Sequence, residues 1–296
     1  MPSVQTNGIR IEYDTFGTTD DPALLLIHGF RTQLIGWDPA FCQALADQGF
    51  FVIRFDNRDI GLSSRIENAP KPDLIAALRG DFSSAAYTLA DMADDTAGLL
   101  EALGLEAAHV VGASMGGMIA QLLALRHPQR VLSLCSMMST TGDPRVGRAT
   151  PEARMVLMRS YPDDREGYIQ AAMATWRLIG SPGLFDERKA RERAAASYDR
   201  SHDPDGPMRQ LLAIMATPDR TEQLAHIRVP TLVLHGAADP LIDPSGGEAT
   251  ARAIPGARLR IIEGWGHDLA PQFWPILIEE IVANANSARR PARAVG

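Results

Sequence analysis

The segment Ala107 to Gln121, A-A-H-V-V-G-A-S-M-G-G-M-I-A-Q, constrains this chain more than any other. A short apolar, β-branched run reads as a buried strand. It passes through a very tight turn into a segment (Met118, Ile119, Leu122, Leu123) with a helical apolar pattern that ends at His127-Pro128. The turn carries G-x-S-x-G as Gly112, Ala113, Ser114, Met115 and Gly116. So sharp a strand-to-helix turn holds a side chain clear of the backbone. It also aims the next N–H and the helix N-terminus at the same point. The positions two before and two after the serine are crowded and call for glycine, which both have. In that context Ser114 reads as a nucleophile, not as part of a plain structural turn.

The rest of the chain supplies a sheet around this strand. Ser3 to Phe16 alternates about Asn7-Gly8, a hairpin signal. Ala23 to Ile27 is apolar on both faces, as a central parallel strand requires, and ends in His28-Gly29-Phe30. Trp37 to Gln48 reads as a helix closed by Gly49, and Phe50 to Phe55 as a buried strand followed by the loop D-N-R-D-I-G-L-S. Thr88 caps a helix reaching Leu103, with Asp91, Asp94 and Asp95 in its first turns. Strands follow at Val131 to Ser136, Thr231 to His235 and Arg258 to Ile262, and a helix at about 271–283. Strands alternating with helices define an α/β fold with a mostly parallel, right-handed wound sheet flanked by helices. Between about 140 and 225 only helical segments and Pro/Gly breaks appear. The expected organisation is therefore a core over 1–139 and 226–285, a helical cap over 140–225 lying across the catalytic edge, and a loose tail over 286–296.

A serine at its normal pKa needs a base, and the base needs an acid to hold its tautomer. In an open parallel sheet functional groups gather at the carboxyl ends of strands. Two strand ends downstream of Ser114 qualify. H-G-A-A-D-P-L places Asp239 just past one strand, and E-G-W-G-H-D-L places His267 in a glycine-flanked loop past the last. Of seven histidines only His267 combines a strand-end loop with flexible flanks. Asp243 and Asp268 compete with Asp239 for the acid; Asp268 adjoins the base, where side chains diverge. The oxyanion of a tetrahedral intermediate takes the Met115 N–H and, from the loop after the Ala23–Ile27 strand, the Phe30 N–H. His28 reads as a brace for that loop.

Taken in order, H-G-F, D-N-R-D-I-G-L-S, G-A-S-M-G-G, H-G-A-A-D-P-L and G-W-G-H-D-L resemble the α/β-hydrolase superfamily. The D-N-R-D-x-G-x-S loop in particular resembles aclacinomycin methylesterase-like esterases. The resemblance spans about 3–285 and implies a carboxylic ester hydrolase working through an acyl-enzyme on Ser114. Lactonase, thioesterase, amidase, perhydrolase and C–C hydrolase chemistry stay open with the same triad. So do a lyase or acyltransferase, and a ligand-binding protein with a vestigial triad. Serine at the elbow argues against the dehalogenase and epoxide hydrolase versions, which place aspartate there.

Phe30, Met115, Met138, Trp176 and Trp265, with Met137, are candidates to line a substrate pocket. Arg58, Asp59 and Ser63 read as structural. The cluster Arg188, Lys189, Arg191 and Arg193, interleaved with Glu187 and Glu192, reads as a solvated helix face. No nucleotide or metal motif is present, so no cofactor is expected. A net charge of −7 argues against nucleic acid and anionic membranes as partners. The first residues lack a signal-peptide pattern, and no apolar run reaches the ~20 residues of a membrane span. Cys42 and Cys135 read as buried inert thiols. The expectation is a cytoplasmic monomer or homodimer acting on a small, largely apolar ester.

Overall fold

The computed structural model describes residues 1–288. The chain opens with β1 (Ser3–Thr6) and β2 (Ile9–Phe16), then β3 (Ala23–Ile27), α1 (Pro39–Ala46), β4 (Phe51–Phe55), α2 (Leu74–Ala77) and α3 (Leu89–Ala102). β5 (Ala108–Ala113), α4 (Met115–Arg126) and β6 (Val131–Met137) follow. Four helices come next: α5 (Pro151–Met158), α6 (Arg165–Ile179), α7 (Glu187–Arg200) and α8 (Gly206–Ala216). β7 (Thr231–Gly236), α9 (Ser245–Ala253), β8 (Arg258–Ile262) and α10 (Trp274–Ala288) complete the described chain.

The eight strands form one sheet in the order β1-β2-β4-β3-β5-β6-β7-β8. β1 and β2 pair antiparallel with their neighbours, and all other pairings are parallel. After β3 the chain adds β4 on one side and β5 on the other. The β3–β5 boundary is thus the topological switch point, where the carboxyl ends of parallel strands open a crevice. Ile27 pairs with Gly112 across it, so the ends of β3 and β5 lie side by side.

Alternation along each strand divides the core in two. Leu25, Ile27 and Val110 pack with α3 and α4, whereas Leu24, Leu26 and Val111 pack with α1 and α10. These strands are apolar on both faces because helices cover both. Thr88 accepts from the Ala90 amide while the Asp91 carboxylate accepts from the Thr88 amide, a reciprocal cap that starts α3 where the sequence places it.

Two helix boundaries stand out against the sequence reading. α1 begins at Pro39, because Asp38 caps it and Leu34–Gly36 form a separate single turn. The last helix begins with a single turn at Pro271–Phe273 and runs on to Ala288. It thereby takes in residues 286–288 of the segment expected to be loose. Asn284 and Ala285 are buried there, the Asn284 amide donating to Leu134 O, which holds the helix past its apolar stretch. The remainder of that expected tail, 289–296, lies outside the described residues.

The loop after β4 fastens the inserted helices to the sheet. Arg58 pairs with Asp95 through two bonds of 2.6 Å, and Ser63 Oγ donates to Asp56 O at 2.6 Å. Asp56 accepts from Arg200 of α7 (2.7 Å), and Asp59 accepts from Arg209 of α8 (2.8 and 2.9 Å). Arg58, Asp59 and Ser63 thus have their polar groups committed to structure.

Candidate active site

Ser114 sits between β5 and α4 with φ 58° and ψ −121°, a left-handed conformation costly for a residue with a side chain. The strain persists because the turn has no room to relax. A Cβ at Gly112 would collide with the carbonyl of Gly116, and one at Gly116 with the carbonyl of Ile27. The Ser114 N–H donates to Met137 O (2.9 Å), and Ser139 Oγ donates to Ser114 O (2.8 Å), which pins the turn from β6. Ser139 is a support that the sequence did not disclose.

The loop after β3 passes close over the serine. A Cβ placed on Gly29 would lie 3.0 Å from Ser114 Cβ and 3.5 Å from Ser114 Oγ. Met115 is the first residue of α4, where an N–H has no intrahelical acceptor. Among the described residues no backbone carbonyl takes the Phe30 N–H. His28 is buried behind this loop and accepts from the Gly29 N–H at Nδ1 (2.7 Å). Burial first, and the Arg193 cation second, push its pKa down to about 3, so it stays neutral and braces the loop.

β7 and β8 are parallel neighbours, with Gly236 beside Ile262, so the loops at their carboxyl ends meet. There His267 Nδ1 lies 2.7 Å from Asp239 Oδ2. The other Asp239 oxygen accepts from the Leu241 and Ile242 N–H groups at 2.8 and 3.0 Å. The carboxylate is thus held on both sides. An Nδ1–H donated to it leaves the His267 Nε2 lone pair free. Asp243 and Asp268 are occupied elsewhere. Asp243 accepts from Arg148 and Ser245, and Asp268 binds the Ser181 N–H (2.8 Å) and Oγ–H (2.7 Å). His235 is buried beside this pair, its Nε2 at 2.8 Å from Ile242 O and 3.6 Å from Asp239 Oδ2. Nε2 faces a carbonyl and is therefore the donor to Ile242, and burial lowers the pKa of the ring.

The inserted segment contributes to this corner. His267 N–H donates to Ile179 O at the end of α6 (2.7 Å), and Gly266 N–H donates to Ser181 Oγ (3.0 Å). With the two bonds to Asp268, four hydrogen bonds join the end of α6 to the histidine loop.

Ser114, His267 and Phe30 open onto one cavity of about 330 Å³, in the size range of small-molecule sites. Met115, Met138 and Trp176 are among the residues that line it. Trp265 does not. It is fully buried, packs on Phe273 and donates from Nε1 to Asp268 O (2.8 Å), because the strand-end glycines turn it beneath the histidine loop. Met137 is likewise core, not lining. Arg193 departs from its expected place on a solvated face and lines the cavity. Both cysteines are buried and free, the Cys42 thiol pushed up to about 12 by burial. Among the described residues no cluster of His, Cys, Asp or Glu is placed to hold a metal ion, and no helix is long and apolar enough to cross a membrane.

Fold and site together define an α/β hydrolase: residues 22–272 match the α/β hydrolase fold family, to which the chain belongs. Among characterised proteins it is 32% identical to the rhodomycin D methylesterase DauP of Streptomyces sp. (strain C5) over the whole of both chains. A thermophilic esterase from Thermogutta terrifontis, solved with malate bound, superposes with a TM-score of 0.74 at 28% identity, covering 98% of this chain and all of that one. The enol-lactonase from Burkholderia xenovorans LB400 shares the fold with a TM-score of 0.75 at 23% identity, over 96% of this chain and all of its own.

Proposed function

We propose that this protein is a cofactor-independent carboxylic ester hydrolase in which Ser114, His267 and Asp239 act as nucleophile, base and orienting acid. The observation that carries the reading is the Asp239–His267 bond at 2.7 Å, in a corner sharing one cavity with a serine on a strained elbow. His267 Nε2 takes the Ser114 proton as Oγ attacks the ester carbonyl. The Phe30 and Met115 N–H groups receive the oxyanion, and Asp239 stabilises the imidazolium. The protonated His267 then gives its proton to the departing alcohol, and water cleaves the acyl-enzyme by the same steps in reverse order. The inserted helices form a cap over this edge of the sheet, and the protein works in the cytoplasm.

The likeness to a methylesterase over the full length favours a small leaving alcohol and a larger acyl part. Cavity walls of Met115, Met138, Leu157 and Trp176 suit a largely apolar acyl body. A fluorophosphonate probe labels the wild type at Ser114 and leaves Ser114→Ala unlabelled but folded, and p-nitrophenyl esters of graded chain length are turned over only by the wild type. Equal ester turnover by Ser114→Ala would overturn the assignment.

A further inference from the structure

The chemistry above leaves Arg193 unused. On α7, Arg188 pairs with Glu192 (2.8 Å) and Arg191 with Glu166 (2.6 Å), all four exposed to solvent. Arg193 turns the other way, toward the side where Ala190 and Ala194 are buried, and its guanidinium lies 4.4 Å over the Trp176 ring. Among the described residues it makes no hydrogen bond and no ion pair. Burial pushes its pKa below the ordinary value, with Asp268 opposing, yet an arginine stays charged in a protein. Both Asp268 oxygens are already held by Ser181, so that carboxylate does not serve it.

The rest of the lining is tilted the same way. In a chain of net charge −7, the arginines and acids that reach the cavity are Arg31, Arg154 and Arg193 against Asp268 alone. The Arg31 guanidinium rests on Tyr161 at 4.0 Å, and its Nε–H is buried with no acceptor. Arg31 spends one donor on Arg159 O (2.8 Å), whereas the half-buried Arg193 guanidinium faces the cavity with all of its donors open to a ligand. A guanidinium stacked on an indole has its plane fixed, and its parallel N–H groups match the two oxygens of a carboxylate.

We propose that Arg193 is the anion-recognising residue of the cavity, and that the substrate is a half-ester: an apolar body with the scissile ester at one end and a carboxylate at the other. This rests on the hydrolase reading for the ester, whereas the anion site rests on Arg193 itself. The two are separated by a matched pair of compounds, monomethyl adipate and the methyl ester of adipic monoamide, alike in shape but differing by one charge. Calorimetric binding is measured on Ser114→Ala and kcat/KM on the wild type.

The acid binds Ser114→Ala at least tenfold more tightly than the amide, and the advantage shrinks as salt is raised. Arg193→Met in the same background brings the ratio to within about twofold of unity, while Arg193→Lys, which keeps the charge, retains part of it. Equal binding of acid and amide to Ser114→Ala, or a preference that survives Arg193→Met, overturns the proposal. A carboxylate preference in binding, with no turnover of either ester or of p-nitrophenyl esters by the wild type, upholds the anion site and sinks the hydrolase reading. Turnover of both esters at one rate does the reverse.

Discussion

His28 ties the stability of this fold to pH, and the size of the effect follows from its surroundings. Its imidazole is buried and lies near the Arg193 cation, so its folded pKa is about 3 against an ordinary 6.5. Between those values the unfolded chain carries a proton on this ring that the folded chain does not. Lowering pH through that window therefore favours unfolding. The stabilisation is complete above about pH 6.5 and is lost as pH falls toward 3. At full titration the linkage is worth roughly 5 kcal/mol, and between about pH 7.5 and pH 5 it removes about 2 kcal/mol. Urea unfolding at several pH values, on the wild type and on His28→Asn, isolates the contribution. Asparagine keeps an acceptor for the Gly29 N–H but does not titrate, so carboxylates common to both proteins cancel in the difference. The expected difference is a steeper loss of wild-type stability below pH 6.5, by about 2 kcal/mol at pH 5. Parallel curves for the two proteins would refute the argument. Arg193→Met removes the second cause of the shift and should narrow the window.

Three further outcomes are expected. Asp239→Asn keeps the fold but disorients His267, and kcat falls by about 10³–10⁴ with KM little changed, read by steady-state ester hydrolysis. Gly116→Ala forces a Cβ against the Ile27 carbonyl. It destabilises by about 1–3 kcal/mol in urea titration, and displacement of the elbow costs activity on the order of 10²-fold. Arg58→Met strands the buried Asp95 carboxylate and loses about 3–5 kcal/mol of stability, while adding Asp95→Leu restores much of that loss; additive losses would contradict it.

How much of this was legible in the sequence depended on whether backbone or tertiary packing decides the point. The elbow was legible because its constraint is local: Ser114 adopts a positive φ only where Gly112 and Gly116 leave room, and those residue types announce it. Asp239 and His267 were legible as strand-end residues because apolar runs locate β7 and β8. Trp265 was misread, because adjacency to a site residue does not say to which side of a loop a neighbour turns. Arg193 was misread because its neighbours are charged and exposed. A signal was nonetheless present: Ala190 is the one uncharged residue of 187–193 and, with Ala194 four residues on, marks the inward face, and Arg193 is three residues from it. Ser139 and Ser181 gave no local sign, since their partners are brought to them only by the finished sheet.

The four hydrogen bonds from Ile179 and Ser181 to the histidine loop have a practical corollary for engineering. The inserted helices that line the cavity are hydrogen-bonded to the loop carrying His267, so a change in one is mechanically joined to the other. Transplanting a foreign lid to retarget the enzyme would dislodge the imidazole unless the graft retains the Ile179–Ser181 junction. Retargeting is better sought by changes within α5 and α7 than by exchange of the whole insertion.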